Sequence, residues 1–220
     1  MERQREAPGT IGDRSKRRWK EASIRCMLKR LECSQESVEL AEHLAKQSSQ
    51  KITAVYSSDL RRASDTAQTI AEKLGLSQVS TTPLLRERHL GRLQGLTPKQ
   101  AREREAHAFK ILASSSGDEP IPGGGESFGE MRDRAARAAE DIARQHEGER
   151  VVVVTHGGVL QSMHVTATGK PAPGRVPNAS INVLSISSDN QWKFQSWCDV
   201  EHLKGVGFLS SAFGGGAKSG

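Results

Sequence analysis

Four consecutive valines, followed at once by a histidine and two glycines, constrain this chain more than any other feature. The β-branched residues 151–154 predict a buried strand, and Thr155-His156-Gly157-Gly158 follows it directly. The residues after the glycines are predicted to open a helix. A strand that ends in His-Gly-Gly at a helix N-terminus places an imidazole beside unbonded backbone N–H groups. The segment therefore predicts an anion site that contains a titratable donor.

Length and composition limit the class of protein. The 220 residues are enough for one domain with a full core, and no apolar run approaches the roughly 20 residues that span a bilayer. The N-terminus has no apolar signal segment, so we expect neither secretion nor a membrane partner. Cys26, Cys33 and Cys198 lack the spacing of a disulfide framework or a zinc site. A reducing, cytoplasmic setting fits this cysteine usage best.

The net charge of +6 is concentrated at one end of the chain. Residues 1–31 contain ten Lys/Arg and four Asp/Glu, whereas residues 32–220 contain 22 of each. The basic character therefore says little about what the main body binds. The basic run at residues 14–20 is open to two interpretations, a nuclear-import or nucleic-acid patch and a solvated tail. We favour the solvated tail, so nucleic acid is not an expected partner.

Predicted strands and helices alternate along the chain, which indicates an α/β fold with a mainly parallel sheet. Residues 22–31 are open between strand and helix. Such sheets bind ligands at the carboxyl ends of their strands, where Ser57-Ser58 and Thr155-His156 lie. The predicted strands are 52–56, 79–81 and 151–154 with a hairpin of 181–187 and 191–197, and the predicted helices are 34–47, 57–74, 98–110, 127–146 and one from Gly157.

Two side chains outside the histidine segment are candidates for phosphate chemistry. Arg62 falls in the first turn of the helix after Ser57-Ser58, where a guanidinium can join the helix N-terminus in holding a phosphate. Taken alone, Arg62 is better explained as a solvated surface arginine next to Arg61. Glu87 stands in a charged, glycine-spaced loop and is either a general acid or the partner of Arg86 or Arg88 in a salt bridge.

A third candidate segment follows the glycines at residues 123–125. These glycines can let the backbone approach a ligand close to Glu126. The simpler interpretation is a helix cap, because Ser127 with Glu130 three residues later forms a capping box.

Taken together, these segments resemble the histidine phosphatase superfamily, and within it the plant-type phosphoglycerate mutase-like proteins. Each motif is short, but their order and spacing agree over about residues 35–210. The matching segments are Ser57-Ser58-Asp59-Leu60-Arg61-Arg62-Ala63 with Thr66, Leu85-Arg86-Glu87 with Gly91 and Gly95, Gly125-Glu126-Ser127, Thr155-His156-Gly157-Gly158, Asn178-Ala179-Ser180-Ile181-Asn182-Val183, and Trp197 with His202-Leu203.

The resemblance implies a fold, a set of boundaries and a mechanism. The fold is a three-layer sandwich with the domain at 32–210, a disordered basic segment at 1–31 and a flexible tail at 211–220. One family histidine takes up a phosphoryl group as phosphohistidine, without a metal or other cofactor. By the same resemblance Arg62, His156 and Gly157 hold the phosphate, and His156 and Glu87 are catalytic, Glu87 as the acid. The expected partner is a small phosphorylated metabolite.

The chain departs from this resemblance at the nucleophile. The family carries that histidine in an Arg-His-Gly motif at the end of the first strand, and none of the seven histidines here lies in such a motif. Cys26 is the one other nucleophilic candidate near a possible strand, and it needs an electropositive pocket to form a thiolate. We therefore expect the first strand to be lacking or replaced, and the phosphatase or phosphotransferase activity of this chain to be absent or impaired.

Three interpretations of this departure remain. The first is a family phosphatase whose N-terminal segment has been exchanged, by splicing or by an error in gene prediction. The second is a pseudoenzyme that binds phosphorylated ligands through Arg62 and His156. The third is an interaction protein that uses residues 14–20 on nucleic acid or acidic partners. We favour the first.

Overall fold

A computed structural model of the protein describes residues 22–29, 35–46, 51–114 and 117–205, and of residues 22–29 the backbone alone. Across the described residues six strands form one sheet, in the order β3-β2-β4-β1-β5-β6. The first four of these run parallel, and β5 is antiparallel to both of its neighbours. The strands are β1 (Ala22–Lys29), β2 (Ile52–Ser58), β3 (Val79–Thr82), β4 (Arg150–Thr155), β5 (Ile181–Ile186) and β6 (Trp192–Asp199).

Helices cover both faces of this sheet. One core cluster joins α1 and α2 to one face, and a second joins α5 and α6 to the other. The predicted three-layer α/β sandwich with a mainly parallel sheet is therefore confirmed. The helices are α1 (Gln35–Lys46), α2 (Arg61–Lys73), α3 (Pro98–Arg104), α4 (Ala106–Ala113), α5 (Phe128–Gln145) and α6 (Gly157–Thr168).

The valines of β4 show why the central strand lacks polar alternation. Val151 and Val153 belong to the cluster under α5 and α6, whereas Val152 and Val154 belong to the cluster under α1 and α2. Each is at most 1% exposed. A side chain of this size contributes about 1.5–3 kcal/mol when it is fully buried. Because both faces of β4 are covered, an apolar residue is favoured at each of these four positions of the strand.

The centre of the sheet is filled by β1, which pairs with β4 on one side and β5 on the other. Of the two alternatives for the first strand, replacement agrees with the structure, since a strand without Arg-His-Gly takes this place. The expected domain boundary after residue 31 differs from the structure, because residues 22–29 are hydrogen-bonded within the sheet. The expectations for residues 14–20 and 211–220 lie outside the described residues.

Local differences from the sequence prediction have identifiable causes. The predicted helix start at residue 57 is wrong, because Ser57 and Ser58 continue β2 and pair with β3. Helix α2 begins at Arg61 after Leu60, which has no side-chain cap. The single helix predicted for 98–110 is divided at Glu105, whose backbone leaves the helical region between α3 and α4. The capping box of Ser127 and Glu130 at α5 is confirmed in both directions, as is the β5–β6 hairpin.

Candidate functional site

The carboxyl ends of β2 and β4 meet at one edge of the sheet. Ser57 of β2 is in register with Val154 of β4, so the residues that follow both strands emerge side by side. Arg62 lies in the first turn of α2 on one side, and His156 is the residue that leads into α6 on the other. The structure therefore brings the arginine and the histidine of the sequence prediction to the same edge.

His156 is a buried, uncharged imidazole. The residue is only 2% exposed, and its Nε2 has no hydrogen-bond partner among the residues that the structure describes. Burial, followed by the charges of Arg62 and Arg134, lowers the pKa of His156 to about 3 against the opposing charge of Asp59. A ring nitrogen buried without a partner is costly. An anionic oxygen placed between Arg62 and His156 would give that nitrogen a partner in a positive field.

Glu87 completes this edge of the sheet. Its Oε2 accepts a hydrogen bond from Gly158 N at 3.0 Å, and its Oε1 accepts one from Arg88 N at 2.9 Å. Gly158 must be glycine for this contact, since a Cβ there would lie 2.3 Å from Glu87 Oε1. The carboxyl group thus sits on the first turn of α6, directly after His156. Gly157 is the first residue of that helix and is buried.

The arginines beside Glu87 contact other groups. Arg86 forms a two-pronged ion pair with Asp59, with both N···O distances at 2.7 Å. Hydrogen bonding from Arg86 lowers the pKa of Asp59, which therefore stays ionised beside His156. Arg88 donates its Nε to the backbone oxygen of Glu126 at 2.9 Å. The Glu87 carboxylate is thus bonded to backbone N–H groups, and the simple salt-bridge interpretation does not describe it.

The glycines at 123–125 serve the packing of the protein backbone. A Cβ on Gly125 would lie 2.7 Å from Ile121 O and 2.8 Å from Gly91 N, so two loops touch there. Arg92 N donates to Pro122 O at 2.8 Å across the same junction. This close approach presses the loop that carries Glu126 against the loop that carries Glu87.

Sequence reasoning missed two residues of this edge, Asp59 and Arg134. Asp59 lies within the segment 57–63 that carries the family resemblance, and its carboxylate accepts both hydrogen bonds from Arg86. Arg134 lies on α5 and donates to Glu126 and to two backbone oxygens of the Glu87 loop. The spacing of eight residues between Glu126 and Arg134 does not predict their contact, because Glu126 lies in a loop and Arg134 in a helix, and no helical or strand period connects the two.

No metal cluster accompanies these groups within the ranges that the structure describes. There, no three His, Cys, Asp or Glu side chains come close enough to hold a metal ion. No helix in the same ranges is long and apolar enough to cross a membrane. The chemistry available at the edge is that of charged and hydrogen-bonding side chains, which can bind an anion and move a proton.

The fold is an α/β sandwich in which Arg62, His156 and Glu87 lie at one edge of the sheet. A sequence model of the histidine phosphatase superfamily (branch 1) matches residues 19–200. The chain belongs to this superfamily. Its general function is accordingly of the phosphatase or phosphoglycerate mutase-like type.

Individual relatives agree with this assignment. The metal-independent phosphoserine phosphatase of Arabidopsis thaliana is 48% identical over 183 residues, which cover 83% of this chain and 76% of that protein. Phosphoglycerate mutase-like protein 4 of the same plant is 46% identical over 189 residues, covering 84% and 80%. Among solved structures, Bacillus stearothermophilus YhfR has the same fold, with a TM-score of 0.72 at 23% identity. The match covers 83% of this chain and 100% of that chain.

Proposed function

We propose that this chain binds a small phosphomonoester at the edge of β2 and β4, and that its turnover through a phosphohistidine is absent or impaired. The observation that carries the binding proposal is the meeting of Arg62, His156 and Glu87 at one sheet edge. Arg62 and His156, with Gly157 at the start of α6, hold the phosphate, and Glu87 is the group that protonates a leaving alcohol.

The relatives support the choice of ligand class. One relative is named for phosphoserine and the other for its likeness to phosphoglycerate mutase. Phosphoserine and phosphoglycerate are both small phosphomonoesters that carry a carboxylate. Phosphoserine and 3-phosphoglycerate are therefore the first ligands to test. Unphosphorylated serine is the matched ligand control.

The proposed loss of turnover follows from the chemistry of the family route. In that route a phosphorus–oxygen bond breaks as a phosphorus–nitrogen bond forms, the acid protonates the departing oxygen, and water then releases phosphate. The first step needs a second, accessible imidazole next to the phosphate, and no histidine of this sequence lies in Arg-His-Gly. Without covalent catalysis the remaining groups can position and protonate a substrate, but they do not divide the reaction into two easier steps.

Calorimetric titration of the full chain with the two phosphomonoesters tests binding. Arg62→Met and His156→Gln should each weaken binding about 10- to 100-fold, the effect of losing a charge-assisted hydrogen bond of roughly 1.5–3 kcal/mol. Arg61→Met is the matched control, because Arg61 is the neighbouring arginine of α2 and its side chain is 87% exposed. A wild-type chain that binds neither ligand, or an equal loss in the control, contradicts the binding proposal.

Phosphate release and intact-mass measurements test the second half of the proposal. We expect neither steady turnover nor a phosphorylated protein after incubation with the ligands. Steady hydrolysis together with a phosphohistidine at any histidine of the chain would overturn the proposed loss of turnover. Transcripts of the same gene should also include a form whose segment before Ser34 encodes an apolar strand ending in Arg-His-Gly. If no such form exists, the pseudoenzyme interpretation replaces that of an exchanged segment.

The basic N-terminal segment is tested separately as a binding element. If residues 1–21 bind nucleic acid, the affinity should fall steeply with salt and disappear when the segment is removed. We expect no such binding at physiological salt.

A further inference from the structure

The loop that carries Glu87 is held by a single guanidinium from α5. Arg134 donates to Leu84 O at 2.8 Å and to Glu87 O at 3.2 Å. The same group donates to both carboxylate oxygens of Glu126, at 2.6 and 2.8 Å. Its side chain is only 13% exposed, so these bonds lie largely out of water. One side chain thus links the helix, the Glu87 loop and the loop of Glu126.

Glu126 holds the far end of the same loop. Its Oε2 accepts from His89 N at 2.9 Å, and its own backbone N–H donates to His89 O at 2.8 Å. Burial raises the pKa of Glu126, but hydrogen bonds from Arg134 and His89 outweigh it and keep the pKa below its ordinary value. The carboxylate is therefore ionised and stays paired with Arg134 at neutral pH.

These contacts matter because Glu87 belongs to no helix or strand. A carboxylate on an irregular loop needs support from neighbouring groups to keep one position. The Glu87 backbone is held through its oxygen by Arg134, and the adjacent Arg88 and His89 are held by Glu126. Only an arginine can serve these acceptors together, since its planar fork of N–H groups reaches two backbone oxygens and a carboxylate at once.

We propose that Arg134, held in place by Glu126, is a positioning residue that keeps the Glu87 carboxylate on the first turn of α6 beside His156. The inference rests on the proposed function only in that Glu87 is taken there as the proton donor. The position of the carboxylate itself can be measured without any ligand. The reporter is the amide of Gly158, which donates to Glu87.

Amide hydrogen exchange of the full chain, followed residue by residue by NMR, tests the proposal. In Arg134→Met, the Gly158 amide should exchange at least about tenfold faster, which corresponds to the loss of one hydrogen bond. Glu87→Ala should give the same acceleration. Adding Arg134→Met to Glu87→Ala should cause no further change, because the arginine acts through the glutamate.

Two references separate positioning from a general loosening of the fold. The amide of Leu160 donates to His156 O within α6 and should keep its exchange rate in every variant. Arg137→Met is the matched substitution, because Arg137 is an exposed arginine of the same helix, and it should leave Gly158 unchanged. An unchanged Gly158 rate in Arg134→Met, or an equal acceleration of Leu160, overturns the proposal. Failure to bind phosphoserine would instead overturn the proposed function and leave this result standing.

Discussion

Acid should destabilise this protein through His156. The pKa of this ring lies at about 3 in the folded chain, mainly because of burial, against 6.5 for an ordinary histidine. Below pH 6.5 His156 binds a proton in the unfolded chain, whereas in the folded chain it stays unprotonated down to about pH 3. Stability therefore falls as the pH falls through this window, by up to about 1.4 kcal/mol per pH unit. Between pH 7.5 and pH 5.0 the loss through this one group is about 2 kcal/mol.

Urea unfolding at pH 7.5 and pH 5.0 measures this loss, provided that a variant isolates the ring. His156→Gln removes the titrating group, so its stability should fall by about 2 kcal/mol less than that of the wild type over the same interval. His107→Gln is the control, since His107 is exposed on α4 and should behave as the wild type does. The half-buried His202, whose pKa burial lowers, is present in all three proteins, so its contribution cancels.

The comparison has a clear negative outcome. If His156→Gln and the wild type lose the same stability between the two pH values, His156 is already exposed or charged in the folded protein. The account of the site as a neutral imidazole buried between positive charges would then be refuted. A smaller loss in the control than in the wild type would show that the substitution of any histidine alters the measurement.

Two further predictions concern the elements that shape the site. Gly125→Ala should destabilise the protein by about 1–3 kcal/mol in urea unfolding, because the new Cβ would meet the backbone atoms Ile121 O at 2.7 Å and Gly91 N at 2.8 Å. Gly129→Ala, where the nearest atom is at 3.7 Å, should be close to neutral. Ser127→Ala should lower the thermal stability by the equivalent of about 0.5–2 kcal/mol, since the hydroxyl accepts from Glu130 N at the start of α5. Equal effects of the two glycine substitutions, or an unchanged melting temperature for Ser127→Ala, would contradict these assignments.

The parts of the fold that the sequence predicted well are those governed by local periodicity. The run at 151–154 has only one stable use in an α/β protein, as a strand covered on both faces, and the His-Gly-Gly that follows must then lie at a carboxyl edge. Ser127 with Glu130 likewise depends on four consecutive residues. Both were confirmed because the forces that fix them act between near neighbours in the chain.

The errors arise where distant residues decide the local structure. Ser57 and Ser58 are good helix caps by type, but hydrogen bonds to β3 keep them in the sheet. The bonds from Arg134 to Glu87 O and Leu84 O join residues 47 and 50 positions apart, and no sequence period links them. The pattern of residues 22–29 fits a strand and a helix alike, and the pairing partners that make it a central strand lie more than a hundred residues away.

The ends of the two central strands bear on the proposal that this chain binds a phosphomonoester without turning it over. Lys29, the last residue of β1, is in register with Thr155, so β1 ends where His156 begins. The family resemblance expects its nucleophilic imidazole at the end of this strand, and the sequence there reads Leu28-Lys29-Arg30. None of these residues carries an imidazole, so the family's phosphohistidine cannot form at these positions. On the proposed function, Arg62 and His156 can still hold a phosphate while the family's nucleophile for its transfer is absent, so affinity without turnover is the expected behaviour.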